Sequence, residues 1–276
     1  MTPEFLQYEF MRNALAACLL ISVCCGVMGA LVVVNRLVFL SGGIAHASYG
    51  GVGAAIYLGA SPYLGAALCA LLASLVMGGV SLDARHRSDS TIGVIWAVGM
   101  AAGIILVDMT PGYNVDLMSY LFGSILLVPG TSLWAMAVLN LVVLGWARLF
   151  YHDLLAMSYD EEHARVMGLP VRGLYFSLLA LAALTVVTVI QAVGLILVIA
   201  LLTIPAVIAE GFARSLGTMM AWSVLFSAVF CVSGLLLAYS LNLTAGASIV
   251  MVAAGGFFLS RLWGKVRGGA RPVSGA

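Results

Sequence analysis

Long apolar runs alternate with short polar segments along the whole chain, and most of the runs are 17 to 23 residues long. A run of this length spans the hydrocarbon core of a bilayer when it folds as a helix. The pattern predicts nine membrane-spanning helices, at residues 13–34, 40–58, 62–82, 91–107, 132–150, 173–190, 194–212, 218–240 and 245–260. We therefore expect an all-α integral membrane protein.

The segment 115–128, between the fourth and fifth runs, departs from this pattern. Its sequence, VDLMSYLFGSILLV, is apolar but has only 14 residues, which is short for a full crossing. Irregular backbone at membrane depth is tolerated where protein or a water-filled path surrounds it. The segment is therefore predicted to be re-entrant or broken.

The basic residues predict how the helices are oriented, because cytoplasmic loops of membrane proteins carry an excess of Lys and Arg. With nine crossings and the amino terminus outside, eleven of the twelve basic residues lie in the cytoplasm and Arg12 alone lies outside. A tenth crossing at 115–128 would divide the basic residues between the two sides. The charge pattern thus favours nine crossings, a basic cytoplasmic tail at 261–276 and one transmembrane domain over 1–276.

The longest polar interruption is the segment 151–172, YHDLLAMSYDEEHARVMGLPVR, which the same count places in the cytoplasm. Ser158 followed by Glu161 has the spacing of a capping box, and Gly168 with Pro170 has the composition of a helix end. This predicts a short helix at 159–167. A helix of that length is not stable alone in water, so it must pack against a partner.

Composition narrows the function classes. The chain is 63% hydrophobic and 8% charged, whereas soluble domains have about 25% charged residues. A net charge of +1 argues against nucleic-acid binding. The five cysteines lie in apolar runs without a CxxC pair, which is typical of buried apolar positions. The sequence has no glycine-rich phosphate loop and no hydrolase motif, so the chain is predicted not to be an enzyme and not to hydrolyse ATP.

His46 is the only histidine within a predicted span, with Ser41 and Ser48 near it as further polar groups. An ionisable side chain at that depth is costly, which favours a functional position such as an ion pathway. Imidazole is a common ligand of zinc and manganese, so His46 is also the candidate metal ligand. A structural histidine, bonded to a neighbouring hydroxyl or carbonyl, is the alternative and stays open.

Two carboxylates, Asp108 and Asp116, flank the predicted outer loop 109–115. Acidic groups at the mouth of a membrane protein attract cations or contact a partner, and they are therefore candidate pathway residues. Ordinary solvation at the membrane interface is the favoured explanation of these two residues.

Several stretches resemble the metal-ion ABC-3 family, the membrane permeases of bacterial zinc, manganese and iron uptake systems. They are VNRLVF at 34–39 leading into IAHA at 44–47, VDLMSYLFG at 115–123, DEEHARVMG at 160–168, VGLILVIALLTIPA at 193–206 and LTAG at 243–246. Each stretch is weakly specific, but they follow the family order from about residue 10 to residue 262.

The resemblance implies a type II-importer-like permease that forms a homodimer in the bacterial inner membrane. It also implies two cytoplasmic ATP-binding subunits and an extracytoplasmic metal-binding protein. No cofactor is expected on this chain, because the divalent metal ion is the cargo. His46 falls on the family's intramembrane histidine. The residues implied to form a helix that couples the permease to the ATPase are Ser158, Asp160, Glu161, Glu162, His163, Ala164 and Gly168.

The chain departs from the family at two places. Many members have an acid four residues before the histidine, where this chain has Gly42, and another after the YLFG stretch, where it has Ser124. These departures weaken the choice of metal but not the function, so the resemblance still implies a permease for a divalent metal, with zinc ahead of manganese or iron. The alternatives are a permease for iron–siderophore or cobalamin, and a carrier or membrane-embedded enzyme that uses His46, Asp108 and Asp116 without ATP.

Overall fold

The computed structural model describes residues 8–83, 88–111, 123 and 125–268, and these contain helices but no strand. The predicted all-α fold is confirmed. The helices are α1 (Glu9–Val34), α2 (Val38–Tyr57), α3 (Pro62–Asp83), α4 (Ser88–Asp108), α5 (Gly130–Leu149), α6 (Tyr151–Tyr159), α7 (Glu161–Val166), α8 (Val171–Val193), α9 (Leu195–Glu210), α10 (Leu216–Leu241) and α11 (Ala245–Gly268). A short 3-10 helix, Ile125–Leu127, precedes α5.

Each of the nine predicted spans coincides with a helix, but in the described part of the chain only seven helices are long and apolar enough to cross a membrane. The two others are α9, which is apolar but has 16 residues, and α2. Helix α2 has 20 residues, yet glycines, serines and His46 lower its hydropathy. The nine crossings therefore stay a prediction. Most of 115–128 lies outside the described residues.

Helix α1 is the centre of one group of helices, and α2 is the centre of a second. Helix α1 packs mainly against α5, α9 and α10, while α2 lies between α3 and α4. Helix α8 contacts members of both groups and joins them. The second group is close-packed through glycine, since a Cβ added to Gly51 would overlap the carbonyl oxygen of Gly65. Small residues allow such backbone contact between membrane helices.

Contacts between loops define the two ends of the molecule. At one end, Asn35 after α1 bonds to Ser158 of α6 (Nδ2 to Oγ, 3.1 Å). At the same end, the Gly217 amide at the start of α10 donates to the Tyr151 hydroxyl (3.1 Å). The opposite end contains the α8–α9 junction, where Gly123 lies against Gly194. All five cysteines are free, as their positions predicted.

Candidate functional site

His46 lies in the middle of a narrow open stripe on α2. From residue 40 to residue 53, every residue is buried except Gly42, His46 and Gly50. Their spacing of four places them on one face of the helix. Two of the three residues are glycines, so the His46 imidazole is the only side chain on this part of the face. The imidazole is therefore half-buried: this face is open at Gly42, whereas a Cβ built on Gly50 would lie 2.9 Å from the Gly99 carbonyl oxygen of α4.

Two side chains of α4 hold the His46 ring. The Trp96 ring stacks on it, with centroids 4.1 Å apart and planes 15° from parallel. The Nδ1 atom of His46 lies 3.2 Å from the Met100 sulfur. The Trp96 indole Nε1–H donates to the same sulfur, also at 3.2 Å. We call His46, Trp96 and Met100 the His46 cluster.

His46 was predicted from the sequence, but Trp96 and Met100 were not. The two α4 residues are four positions apart in a helix that is apolar throughout, so nothing distinguishes them from lipid-facing or core residues. Their role depends on how α2 packs against α4. The two helices approach very closely because glycines such as Gly53 and Gly103 lie at their contact. The only signal in the sequence was a Trp one helical turn before a Met.

The other predicted pathway residues do not join the His46 cluster. The hydroxyls of Ser41 and Ser48 are buried and donate to carbonyls of their own helix, Val38 at 2.9 Å and Ala45 at 2.7 Å. Asp108 is an exposed residue at the end of α4, and Asp116 lies outside the described residues. Within the described part of the chain, no three His, Cys, Asp or Glu side chains form a metal-binding group.

The 151–172 segment forms two helices, not the one predicted at 159–167. Helix α6 ends at Tyr159, Asp160 is extended (φ −150°, ψ 98°), and α7 begins at Glu161. The predicted capping box of Ser158 with Glu161 is wrong. Asp160 is the cap instead, and its carboxylate accepts the His163 amide at 2.9 Å. Ser158 is unavailable because it lies inside α6 and bonds to Asn35.

The predicted end of this short helix is confirmed. Gly168 has φ +81°, a left-handed conformation that favours glycine. Its amide donates to the Arg165 carbonyl at 3.0 Å, and the Leu169 amide donates to the Ala164 carbonyl at 3.1 Å. Two carbonyls of the last turn are thereby satisfied.

Helix α7 has one buried contact and a large exposed surface. Ala164 is 1% exposed and faces α6 and α8, which are the helices that α7 contacts. On the outer side, the apolar residues Tyr159, Val166 and Met167 are 78%, 85% and 69% exposed. Exposed apolar side chains next to charged ones are typical of surfaces that bind another protein or a membrane.

A cavity of about 570 Å³ lies beside the 151–172 segment. It is bordered by the α1–α2 turn, the end of α3, helix α6 and the start of α8. The polar residues that line it are Asn35, Arg36, Ser81, Ser158, Tyr159, Glu161 and Tyr175. Arg36 in the turn has a left-handed backbone (φ 58°). The segment thus abuts the turn that leads into α2, the helix of His46.

Comparison with known proteins identifies relatives along almost the whole chain. The model of the ABC 3 transport family matches residues 7–264. An uncharacterized membrane protein of Synechocystis, slr2045, is 50% identical over 93% of this chain and 92% of that protein. The manganese transport system membrane protein MntC of Halalkalibacterium halodurans is 33% identical over 93% of this chain and 88% of its own. The manganese import system permease protein ScaB of Streptococcus gordonii is 34% identical over 94% and 95%.

Solved structures agree with these matches. PsaBC from Streptococcus pneumoniae, in complex with Fab, superposes with a TM-score of 0.84 at 33% identity, over 94% of this chain and 95% of that one. An inward-facing metal-chelate type ABC transporter superposes with a TM-score of 0.73 over 92% and 86%, but at 16% identity it shows the fold alone. The resemblance found in the sequence is confirmed, and the chain belongs to the ABC 3 transport family.

Proposed function

We propose that this chain is the membrane permease subunit of an ATP-binding-cassette importer that moves a divalent transition-metal ion across the bacterial inner membrane. The observation that carries the proposal is the family match over residues 7–264, together with relatives named for manganese transport at 32–34% identity. The same match argues against a carrier that works without ATP. No observation favours a siderophore or cobalamin permease, because the metal-chelate neighbour shows the fold alone.

Energy for transport comes from ATP-binding subunits that dock on the 151–172 segment, which we call the coupling segment. The exposed Tyr159, Val166 and Met167 support this docking role, as do the exposed polar residues Glu162 and His163 beside them. Closure of the two ATPase subunits then moves the coupling segments of a permease homodimer together. The Ser158–Asn35 hydrogen bond offers a route for this motion into the α1–α2 turn and hence to α2.

The ion pathway passes the open stripe of α2, with His46 as its ligand. In a homodimer, two such stripes facing each other would line one route, and the open position at Gly42, one turn before His46, leaves space for an ion. Manganese is the ion in the names of several relatives. An imidazole without a carboxylate in the described part of the site suits zinc better than a hard cation. Manganese and zinc are therefore the two ions to compare.

The whole chain, 1–276, forms the permease domain, with the amino terminus outside and the carboxyl terminus in the cytoplasm. The contacts Asn35–Ser158 and Tyr151–Gly217 support this arrangement, since they join three loops that the basic residues assign to the cytoplasm. An extracytoplasmic metal-binding protein delivers the ion at the opposite end, near Asp108.

The test is ATPase activity of the reconstituted complex in liposomes, with its ATPase subunit and its binding protein loaded with Mn²⁺, Zn²⁺ or Fe²⁺. We expect stimulation and ion uptake with Mn²⁺ or Zn²⁺ and none with a ferric siderophore or cobalamin. An ATPase subunit without its phosphate-loop lysine is the control for energy coupling. Metal flux by the permease alone, without ATP, would contradict the proposal.

A further inference from the structure

The Nδ1 nitrogen of His46 lies within hydrogen-bond distance of the Met100 sulfur, a contact that the sequence did not predict. We propose that Met100 is a positioning residue of the ion pathway: its sulfur holds His46 in the tautomer protonated on Nδ1, so that the lone pair of Nε2 faces the passing metal. The inference rests on the proposed function, because it assumes that His46 meets the ion.

The direction of the His46–Met100 hydrogen bond follows from the chemistry of sulfur. A thioether carries no proton and only accepts, so at 3.2 Å the Nδ1 atom must be the donor. A neutral imidazole has one protonated nitrogen, and the hydrogen bond at one nitrogen decides which it is. Nε2 is then unprotonated, as a metal ligand requires. No hydrogen bond to Nε2 is found from the described residues.

Trp96 completes the arrangement. Its Nε1–H donates to the same sulfur, and its ring lies parallel to the imidazole at 4.1 Å, which fixes the plane of that ring. With two N–H groups directed at it, the sulfur has both lone pairs occupied. Met100 therefore acts through His46 rather than as a ligand itself.

The face of α2 that carries His46 is open one turn before it, at Gly42. A Cβ built on Gly42, one turn before His46 on the same stripe, meets no atom within 4 Å. An ion at this level of α2 thus meets no side chain from position 42. Among the described residues, no group of three His, Cys, Asp or Glu side chains surrounds this position.

Substitutions at position 100 separate this role from simple packing. Met100→Leu keeps the volume and removes the acceptor, whereas Met100→Gln restores an acceptor oxygen at similar length. Outer partners of a ligating histidine typically contribute about 10- to 100-fold in metal affinity. We expect Met100→Leu to lower uptake at subsaturating metal by about tenfold, and Met100→Gln to stay within about threefold of the unchanged protein.

The direct readout is the tautomer of His46, measured by ¹⁵N NMR of histidine-labelled protein without metal, with His46→Gln to assign the signal. We expect Nδ1 protonated in the unchanged protein and in Met100→Gln, and a shift toward Nε2 protonated in Met100→Leu. The midpoint of thermal unfolding in detergent controls for packing. The midpoint should be no higher in Met100→Gln than in Met100→Leu. Uptake should follow the opposite order, with Met100→Gln above Met100→Leu.

The outcomes distinguish this inference from the proposed function. The positioning role would be overturned if His46 were protonated on Nε2 in the unchanged protein. It would also be overturned if His46 stayed protonated on Nδ1 in Met100→Leu. Equal uptake by the Leu and unchanged proteins while His46→Ala abolishes uptake would overturn it as well. If His46→Ala transports normally, the assignment of His46 to the pathway fails, and the tautomer result then describes only a structural bond.

Discussion

At the residue scale, Gly42 and Gly51 show how differently two glycines of one helix are surrounded. Gly42 faces open space on the stripe of His46, while Gly51 lies against the backbone of α3. Gly42→Ala should be neutral or stabilising by up to about 1 kcal/mol, since alanine is the better helix former. Gly51→Ala should destabilise by about 1–3 kcal/mol, because the added methyl group would push α2 away from Gly65.

The measurement is the thermal midpoint in detergent of the two purified variants and the fraction that elutes as a single species. Both carry the same substitution in the same helix, so each is the control for the other. Equal midpoints would mean that the close approach of α2 to α3 contributes little to stability.

The same scale shows what sequence alone could predict about the site. His46 was predictable because a titratable side chain inside an apolar run is costly. Trp96 and Met100 were not, because their meeting with His46 is set by the packing of two helices. Ser158 was misassigned for a related reason: its local spacing fits a cap, but a residue distant in sequence, Asn35, binds its hydroxyl and leaves capping to Asp160.

At the element scale, the Ser158–Asn35 contact is the direct link between the coupling segment and the helix pair that leads to His46. Ser158→Ala removes this link, but Asn35 keeps its bond to the Leu31 carbonyl at 2.8 Å. We therefore expect a stability loss of about 1 kcal/mol and a larger functional effect, namely less uptake per ATP hydrolysed.

The matched control is Ser177→Ala on α8, whose hydroxyl bonds only within its own helix, to Leu174 at 2.9 Å. Uptake and ATP hydrolysis are measured together in liposomes. A Ser158→Ala variant with the same ratio of the two as Ser177→Ala would remove the contact from the transmission route.

The exposed end of α7 supports a second expectation at this scale. Met167→Asp places a charge in an apolar patch and should weaken binding of the ATPase subunit by about tenfold or more, since a buried charge without a partner is costly. Leu58→Asp adds the same charge at an exposed apolar residue at the opposite end of the molecule and should leave binding within about twofold. Pull-down of the ATPase subunit at several concentrations checks both. Equal binding of the two variants would place the docking surface elsewhere.

At the scale of the whole molecule, the apolar pattern predicted the positions of the helices more accurately than the number of helices that cross the membrane. Every predicted run is helical, because burial of the backbone in lipid requires it. Helix α2 nevertheless falls short of a membrane-crossing composition, since close packing on α3 and α4 demands glycine where lipid contact would favour leucine. The two helices of the 151–172 segment also escaped prediction, as their break depends on tertiary contacts.

The positions of the ends of α4 and α5 bear on the predicted number of crossings. Helix α4 runs alongside α2 and ends with Asp108 far from Asn35, and α5 ends beside α6 at the Asn35 end. Both α4 and α5 are about the length of a crossing, so Asp108 and Gly130 lie at the same end. This placement agrees with nine crossings, and the count stays a prediction.

Reporter fusions test the resulting topology. Alkaline phosphatase fused after Ala60 or Thr110 should be active, because these positions are assigned to the outside. Green fluorescent protein fused after Leu82, after Arg214 or at the carboxyl terminus should fluoresce in the cytoplasm. The pair Leu82 and Arg214 is decisive, since an additional crossing between α4 and α5 would place them on opposite sides. Fluorescence at one and phosphatase activity at the other would contradict nine crossings, whatever the orientation of the amino terminus.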